Sequence, residues 1–171
     1  RVGVLGLGFL GRRIAEAVSA LGYPVRGFSR GAGPELAGVE RFHGAGRFDA
    51  FLDGLDALVS VLPHTPETEG VLDRSVFARM RRGAAVINIG RGAHLAEAEL
   101  IPALDDGLLA GASLDVFAQE PLPADHPFWA DPRILVTPHV ASDPAPERLA
   151  EAVASGLAAL AEGRRPEGLV N

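Results

Sequence analysis

Two residue types are missing from this chain of 171 residues. It has no cysteine and no lysine, so all sixteen of its cationic side chains are arginine. Without thiols there is no disulfide framework, no thiolate nucleophile and no thiolate metal site. None of the five histidines is spaced with carboxylates as metal ligands are, so no metal is expected. The lack of lysine, beside an excess of alanine and glycine, reads as a compositional bias. No apolar run approaches the ~20 residues that span a bilayer, and no charged-then-apolar secretion signal opens the chain. A reducing, cytoplasmic setting is the default expectation, with no membrane partner. The net charge of −6 argues against non-specific nucleic-acid binding. The arginines are also scattered, apart from pairs at 12–13, 81–82 and 164–165, so no basic stripe forms. An initiating Met is absent too. The chain opens with Arg1-Val2-Gly3-Val4, already inside a strand, and reads as a piece of a longer one.

What is present is an ordinary globular composition, 47% hydrophobic and 22% charged, in a length that suits one domain with a sizeable core. Val2–Leu5 is a short apolar run ending in glycines, the pattern of a buried strand. Leu10, Ile14, Val18 and Leu21 then mark one face of a helix that Gly22 ends. Strands are expected at Pro24–Phe28, Val39–Phe42, Asp56–Leu62, Ala84–Ile89, Ala110–Val116 and Ile134–Val136. Between them lie a brief helix at Phe48–Leu52 and another capped by Asp73, which turns Val76, Phe77 and Met80 inward. That second helix is expected to carry Arg79, Arg81 and Arg82 in its last turn. Ala96–Asp106 should be helical, with Pro102 predicting a kink or a broken start. A last helix starts near Pro144 and runs through Leu149, Val153, Leu157 and Leu160 to Gly163. Strands alternating with helices require crossover connections, hence a parallel sheet covered on both faces. The expected fold is a Rossmann-type, doubly wound α/β domain over 1–171, with about 145–171 as a C-terminal helix and tail.

Gly6, Gly8 and Gly11 stand between the first strand and helix, the context that a dinucleotide fingerprint requires. The first glycine permits a tight turn, the second lets backbone approach a pyrophosphate, and the third brings helix and strand together. A purely structural strand-to-helix turn is the alternative. About twenty residues on, where an acid would select NAD, the chain has Phe28-Ser29-Arg30 and no acid before Glu35. An arginine there can clamp the 2′-phosphate of NADP, so NADP(H) is the preferred cofactor and NAD(H) the secondary one. The alternative is a solvated loop arginine.

The remaining candidates fall at the carboxyl ends of successive strands, where open α/β sheets gather their ligands. They are Pro63-His64-Thr65-Pro66, Gly90-Arg91, Asp115, Glu120 and His139. Reducing a ketone leaves negative charge on its oxygen, which a proton must meet. His139 suits that role, since imidazole titrates at about 6.5. A carboxylate beside it, Glu120, favours the charged imidazolium and fixes its tautomer. Arg91 can grip a substrate carboxylate bidentately and polarise the adjacent carbonyl. Asp115 can accept from a nicotinamide carboxamide, and His64 sits close enough to the cofactor edge to line it. Each also has a duller reading as a loop arginine, a surface glutamate or a backbone-capping histidine. His43, His94 and His126 have no assigned role.

Six motifs, in order, resemble the cofactor domain of the D-isomer-specific 2-hydroxyacid dehydrogenases. They begin at Val4-Leu5-Gly6-Leu7-Gly8-Phe9-Leu10-Gly11 and Leu62-Pro63-His64-Thr65-Pro66-Glu67-Thr68. Ile87-Asn88-Ile89-Gly90-Arg91-Gly92 and Gly111-Ala112-Ser113-Leu114-Asp115-Val116-Phe117 follow. Glu120-Pro121-Leu122-Pro123 and Thr137-Pro138-His139-Val140-Ala141 complete the series. The resemblance implies catalytic roles for Arg91, Glu120 and His139. It implies cofactor contacts for Gly6, Gly8, Phe9, Leu10, Gly11, Ser29, Arg30, Leu62, Pro63, Thr65, Gly90 and Asp115. Phe28-Ser29-Arg30 together with Pro121-Leu122-Pro123 is most similar to the NADPH-preferring glyoxylate/hydroxypyruvate reductases; the related formate dehydrogenases carry Gln at the place of Glu120. Pro102 departs from a helix the family keeps continuous. The resemblance further implies a small 2-keto or 2-hydroxy acid as substrate and a homodimer built through cofactor domains. It also implies an active site in a cleft against a substrate domain, largely absent here, on which the C-terminal helix would pack. A second reading is a non-catalytic dinucleotide-sensing or interaction module of the same fold, which would not need a proton donor. The β-hydroxyacid dehydrogenases, which share a glycine fingerprint, use a catalytic lysine that this chain lacks.

Overall fold

Hydrophobic runs too short for helices become the strands of one parallel sheet. The computed structural model describes residues 1–142 and 145–166. The strands are β1 (Val2–Leu5), β2 (Val25–Ser29), β3 (Val39–His43), β4 (Ala57–Ser60), β5 (Ala84–Asn88), β6 (Leu109–Leu114) and β7 (Ile134–Val136). The helices are α1 (Phe9–Ala20), α2 (Phe48–Leu52), α3 (Arg74–Arg79), α4 (Glu97–Asp105) and α5 (Pro146–Ala161). Strand order is β3-β2-β1-β4-β5-β6-β7, with every neighbouring pair parallel. The chain builds outward from β1 to β3, returns to the other side of β1, and builds outward again to β7. This is the doubly wound Rossmann arrangement, whose switch point lies between β1 and β4. Among the described residues no helix is long and apolar enough to cross a membrane.

The sheet has unequal cores on its two faces. One is large and includes Phe51, Leu58, Phe77, Val86, Leu100 and Phe128, all within 1% of complete burial. Each such side chain contributes ~1.5–3 kcal/mol of transfer free energy. The other is small, with Val4, Leu7, Ala15 and Val25 packed beneath α1. Ile14 and Val18 flank that cluster, whereas Leu21 lies beyond the helix end and is exposed.

Local differences from the expected elements have tertiary causes. Asp73 does cap α3, its Oδ1 accepting the Val76 N–H at 2.8 Å. The helix nevertheless stops at Arg79. Arg81 instead donates its backbone N–H to Leu55 and pairs through Nη1 with Asp56, and Arg82 donates to the Asp106 carbonyl. α4 runs unbroken through Pro102, anchored on both sides by buried Leu100, Ala103 and Leu104. The chain separates into two compact units, Arg1–His139 and Val140–Asn171. In the second, α5 begins with Pro146 in its first turn, and Leu149, Val153, Leu157 and Leu160 are exposed. The expected start near Pro144 and the tail at 167–171 lie outside the described residues.

Candidate active site

Parallel strands point their carboxyl ends to one edge, and six of the seven deliver a singled-out residue there. Ser29 ends β2 and Arg30 follows it, and the glycine loop follows β1. Leu62–Thr65 come after β4, Gly90 and Arg91 after β5, Asp115 and Glu120 after β6, and His139 after β7.

The glycine loop is shaped by sterics. Gly6 is buried at φ 103°, a conformation an L side chain rarely adopts. A Cβ on Gly11 would lie 1.8 Å from the Gly6 carbonyl oxygen, so only glycine lets α1 start this close to β1. A Cβ on Gly8 would meet nothing within 4 Å, which leaves its backbone open to an incoming group. Gly8 is the N-cap of α1, with no side-chain cap and no acid in the first turn. The positive end of the helix and its first N–H groups are therefore presented outward beside exposed Phe9 and Leu10. This cradle fits a dinucleotide pyrophosphate.

Ser29 and Arg30 close β2 at the outer side of that cradle. The Ser29 hydroxyl donates to the Gly31 carbonyl at 2.7 Å, and Arg41 of β3 donates to the Ser29 oxygen at 3.0 Å and to the Pro34 carbonyl. Arg30 itself is exposed. Arg41 was not among the residues singled out from sequence; only the pairing of β2 with β3 brings it to Ser29.

On the other side of the switch point, two loops are cross-braced. The Thr68 hydroxyl donates to the Pro63 carbonyl at 2.8 Å and accepts the Thr65 N–H at 2.9 Å. Arg91 is exposed, with Nη1 donating to the Gly90 carbonyl at 2.6 Å, but its backbone is gripped from below. Asn88, fully buried, donates from Nδ2 to the Arg91 carbonyl at 2.9 Å and accepts the Gly90 N–H at 3.2 Å. His94, equally buried, accepts the Arg91 N–H on Nδ1 at 3.2 Å. Gly92 carries the brace onward, since a Cβ there would fall 1.8 Å from the Phe117 carbonyl carbon.

At β6 and β7 the sequence candidates meet directly. His139 Nδ1 lies 2.8 Å from Glu120 Oε2, and Glu120 Oε1 accepts the Phe117 N–H at 2.9 Å. Those two bonds, His139 first, hold the Glu120 carboxyl below its ordinary value of 4.5. His139 sits at φ 58°, in the left-handed region that costs a non-glycine residue about 1–2 kcal/mol. The Glu120–Pro121 peptide is cis. Asp115, 3% exposed, accepts from the Thr137 hydroxyl at 2.5 Å, which joins the ends of β6 and β7. The side chains of His139 and Glu120 remain 51% and 36% exposed, so the pair faces outward from the sheet edge.

Residues 1–141 match the family model described as "D-isomer specific 2-hydroxyacid dehydrogenase, NAD binding domain". A glyoxylate/hydroxypyruvate reductase A from Serratia proteamaculans is 45% identical over 170 residues, which cover 99% of this chain and 54% of that protein. The crystal structure of an NADPH-dependent glyoxylate/hydroxypyruvate reductase from Sinorhizobium meliloti, in complex with NADP and sulfate, superposes with a TM-score of 0.91. It is 39% identical, and the match covers 99% of this chain and 55% of that one. A D-isomer specific 2-hydroxyacid dehydrogenase from Xanthobacter autotrophicus Py2, in complex with NADPH and MES, also gives 0.91. There the identity is 43%, over 100% of this chain and 70% of that one. The chain thus spans about half the length of the curated relatives it matches, namely their cofactor-domain half.

Proposed function

The chain belongs to the D-isomer specific 2-hydroxyacid dehydrogenases, as their NAD-binding domain, and from that premise we propose that it is the cofactor half of an NADP-dependent reductase of small 2-keto acids. Glyoxylate and hydroxypyruvate, named for its relatives, are the proposed substrates. The observation that carries the reading is the His139–Glu120 hydrogen bond, an oriented proton donor on the same edge as a dinucleotide cradle. A dinucleotide sensor has no use for such a donor.

The glycine loop would hold the pyrophosphate, and Ser29 and Arg30 the 2′-phosphate, with Leu62, Pro63, Thr65, Gly90 and Asp115 along the nicotinamide side. When bound, the reduced nicotinamide supplies a hydride to the carbonyl carbon. Arg91 grips the substrate carboxylate through paired, charge-assisted hydrogen bonds. Glu120, ionised through the neutral range, engages His139 on Nδ1 and so directs Nε2 toward substrate. His139 then delivers its Nε2 proton to the carbonyl oxygen. The opposite wall of the cleft would come from a substrate domain in the complete protein, on which α5 would pack. The complete protein is further proposed to be a homodimer.

The test is NADPH-linked reduction of glyoxylate and hydroxypyruvate by the complete protein. His139→Ala should lower kcat by about 10²–10⁴-fold, the usual contribution of a general acid. Arg91→Ala should raise the KM for the keto acid. A complete, folded protein that reduced no 2-keto acid would favour the sensing module instead.

A further inference from the structure

We infer that His94, to which the reaction assigns no step, is the residue that positions Arg91 relative to the cofactor-side loop. The inference rests on the reading of Arg91 as the carboxylate anchor. His94 is completely buried, yet both of its ring nitrogens are engaged, and by two different strand-end loops. Nδ1 accepts the Arg91 N–H at 3.2 Å, while Nε2 lies 3.2 Å from the Pro63 carbonyl oxygen. A carbonyl only accepts and an amide N–H only donates, so both bonds require the neutral ring with its proton on Nε2.

The ring is seated without slack. A Cβ on Gly90 would come within 3.0 Å of Nδ1, so the loop backbone lies directly against the imidazole. His64 meets it edge-on at 6.4 Å between ring centroids. Burial opposes protonation of the ring, which would also remove the acceptor for the Arg91 N–H and bring a cation up to the Arg91 guanidinium. Thr68 shares the Pro63 carbonyl with His94, and Asn88 takes the Arg91 carbonyl. His94 is therefore the one side chain among these that spans both loops, from the proposed carboxylate anchor to the loop carrying Pro63 and Thr65.

Two substitutions in the complete enzyme separate the two bonds. His94→Gln can still reach Pro63 but leaves the Arg91 N–H unpaired; His94→Asn places an amide oxygen near the position of Nδ1 and gives up Pro63. His94→Gln should raise the KM for the keto acid about tenfold, the effect of one lost buried hydrogen bond, with the KM for NADPH within about twofold. His94→Asn should recover most of that loss. Two readings by NMR accompany the kinetics. The imidazole 15N shifts should report the neutral, Nε2-protonated tautomer, and the Arg91 amide should exchange faster in His94→Gln than in wild type. Equal KM changes for both substrates, or a drop in melting temperature with KM unmoved, would reduce His94 to a packing role and overturn the inference. So would an Nδ1-protonated ring or an unchanged Arg91 amide. If the wild-type protein turned over no 2-keto acid, the functional reading would fall by itself, and the tautomer and exchange measurements would still decide whether His94 holds Arg91.

Discussion

The β1–α1 end of the binding edge is made of backbone, whereas the β5–β7 end is made of side chains. At the first, Gly6 and Gly11 fit because nothing larger can, and no side chain caps the helix that follows. At the second, Asn88, His94, Asp115 and Thr137 hold the loops from buried or half-buried positions while Arg91, Glu120 and His139 stand exposed. Backbone sterics make a site that is either formed or not, and polar side chains make one that can be adjusted bond by bond. Substitutions at the two ends should therefore fail in different ways.

The largest effect on stability is expected at Gly11. A methyl group 1.8 Å from a carbonyl oxygen forces the backbone apart, so Gly11→Ala should cost ~3 kcal/mol, the upper end for overpacking. That corresponds to a fall of about 6–12 °C in melting temperature for a chain of this size, with dinucleotide binding lost. Gly8→Ala has open space for its methyl group and should melt as wild type while binding cofactor more weakly. Equal thermal losses in the two variants would break the distinction between a cradle set by packing and one left open for ligand.

Next in size is Arg30→Ala, which tests a side chain at the otherwise backbone-built end. A charge-assisted hydrogen bond is worth ~1.5–3 kcal/mol, so NADPH affinity should fall roughly tenfold to a hundredfold. NADH affinity should stay within about twofold. Fluorescence titration of both cofactors measures this, and equal losses would remove the 2′-phosphate from the argument. A smaller effect is expected from Glu120→Gln. The amide keeps a hydrogen-bonding partner for His139 Nδ1 but not the charge that matches an imidazolium. The kcat should drop by about fivefold to tenfold, the difference between charged and neutral hydrogen bonds, while the melting temperature falls by no more than about 2–4 °C.

The contrast between the two ends also governs what could be read before the structure. Steric requirements write themselves into sequence as glycines at fixed spacing, so the cradle, the parallel sheet and its strand-end edge were legible from residue order. Arg91, Glu120 and His139 could be picked out by chemical type, and the structure joins the last two at 2.8 Å. The braces were not legible, because a buried hydrogen bond leaves no spacing rule. His94 lies three residues from Arg91, yet its other partner, Pro63, is 31 residues away in sequence. Arg41 reaches Ser29 only through strand pairing. Helix ends depart from the sequence pattern where tertiary partners win: α3 stops at Arg79 and Arg81 pairs with Asp56, although Met80 and Arg82 beside it are good helix formers.

The smallest effect is in stability against pH, and it should divide the side-chain-built end into two limbs. His94 has its folded value lowered from 6.5 by burial, so the unfolded chain takes up its proton first. Its contribution is complete above that value and is lost as pH falls through the folded one. Glu120 is lowered from 4.5 by its bonds to His139 and Phe117, so its contribution is complete above 4.5 and lost only at lower pH. The second limb should be the shallower, because an exposed pair of this kind is worth about 0–1 kcal/mol. Asp131, held down at about 2 by Arg133, loses its own contribution as pH falls from 3.8, within the same acid range, so each limb is read as the difference between wild type and the single variant. Urea unfolding at a series of pH values should show His94→Asn flattening the upper limb alone and Glu120→Gln the lower limb alone. If one substitution flattened both, the brace beneath Arg91 and the His139 pair would be a single coupled unit, and the bond-by-bond character assigned to this end of the edge would be wrong.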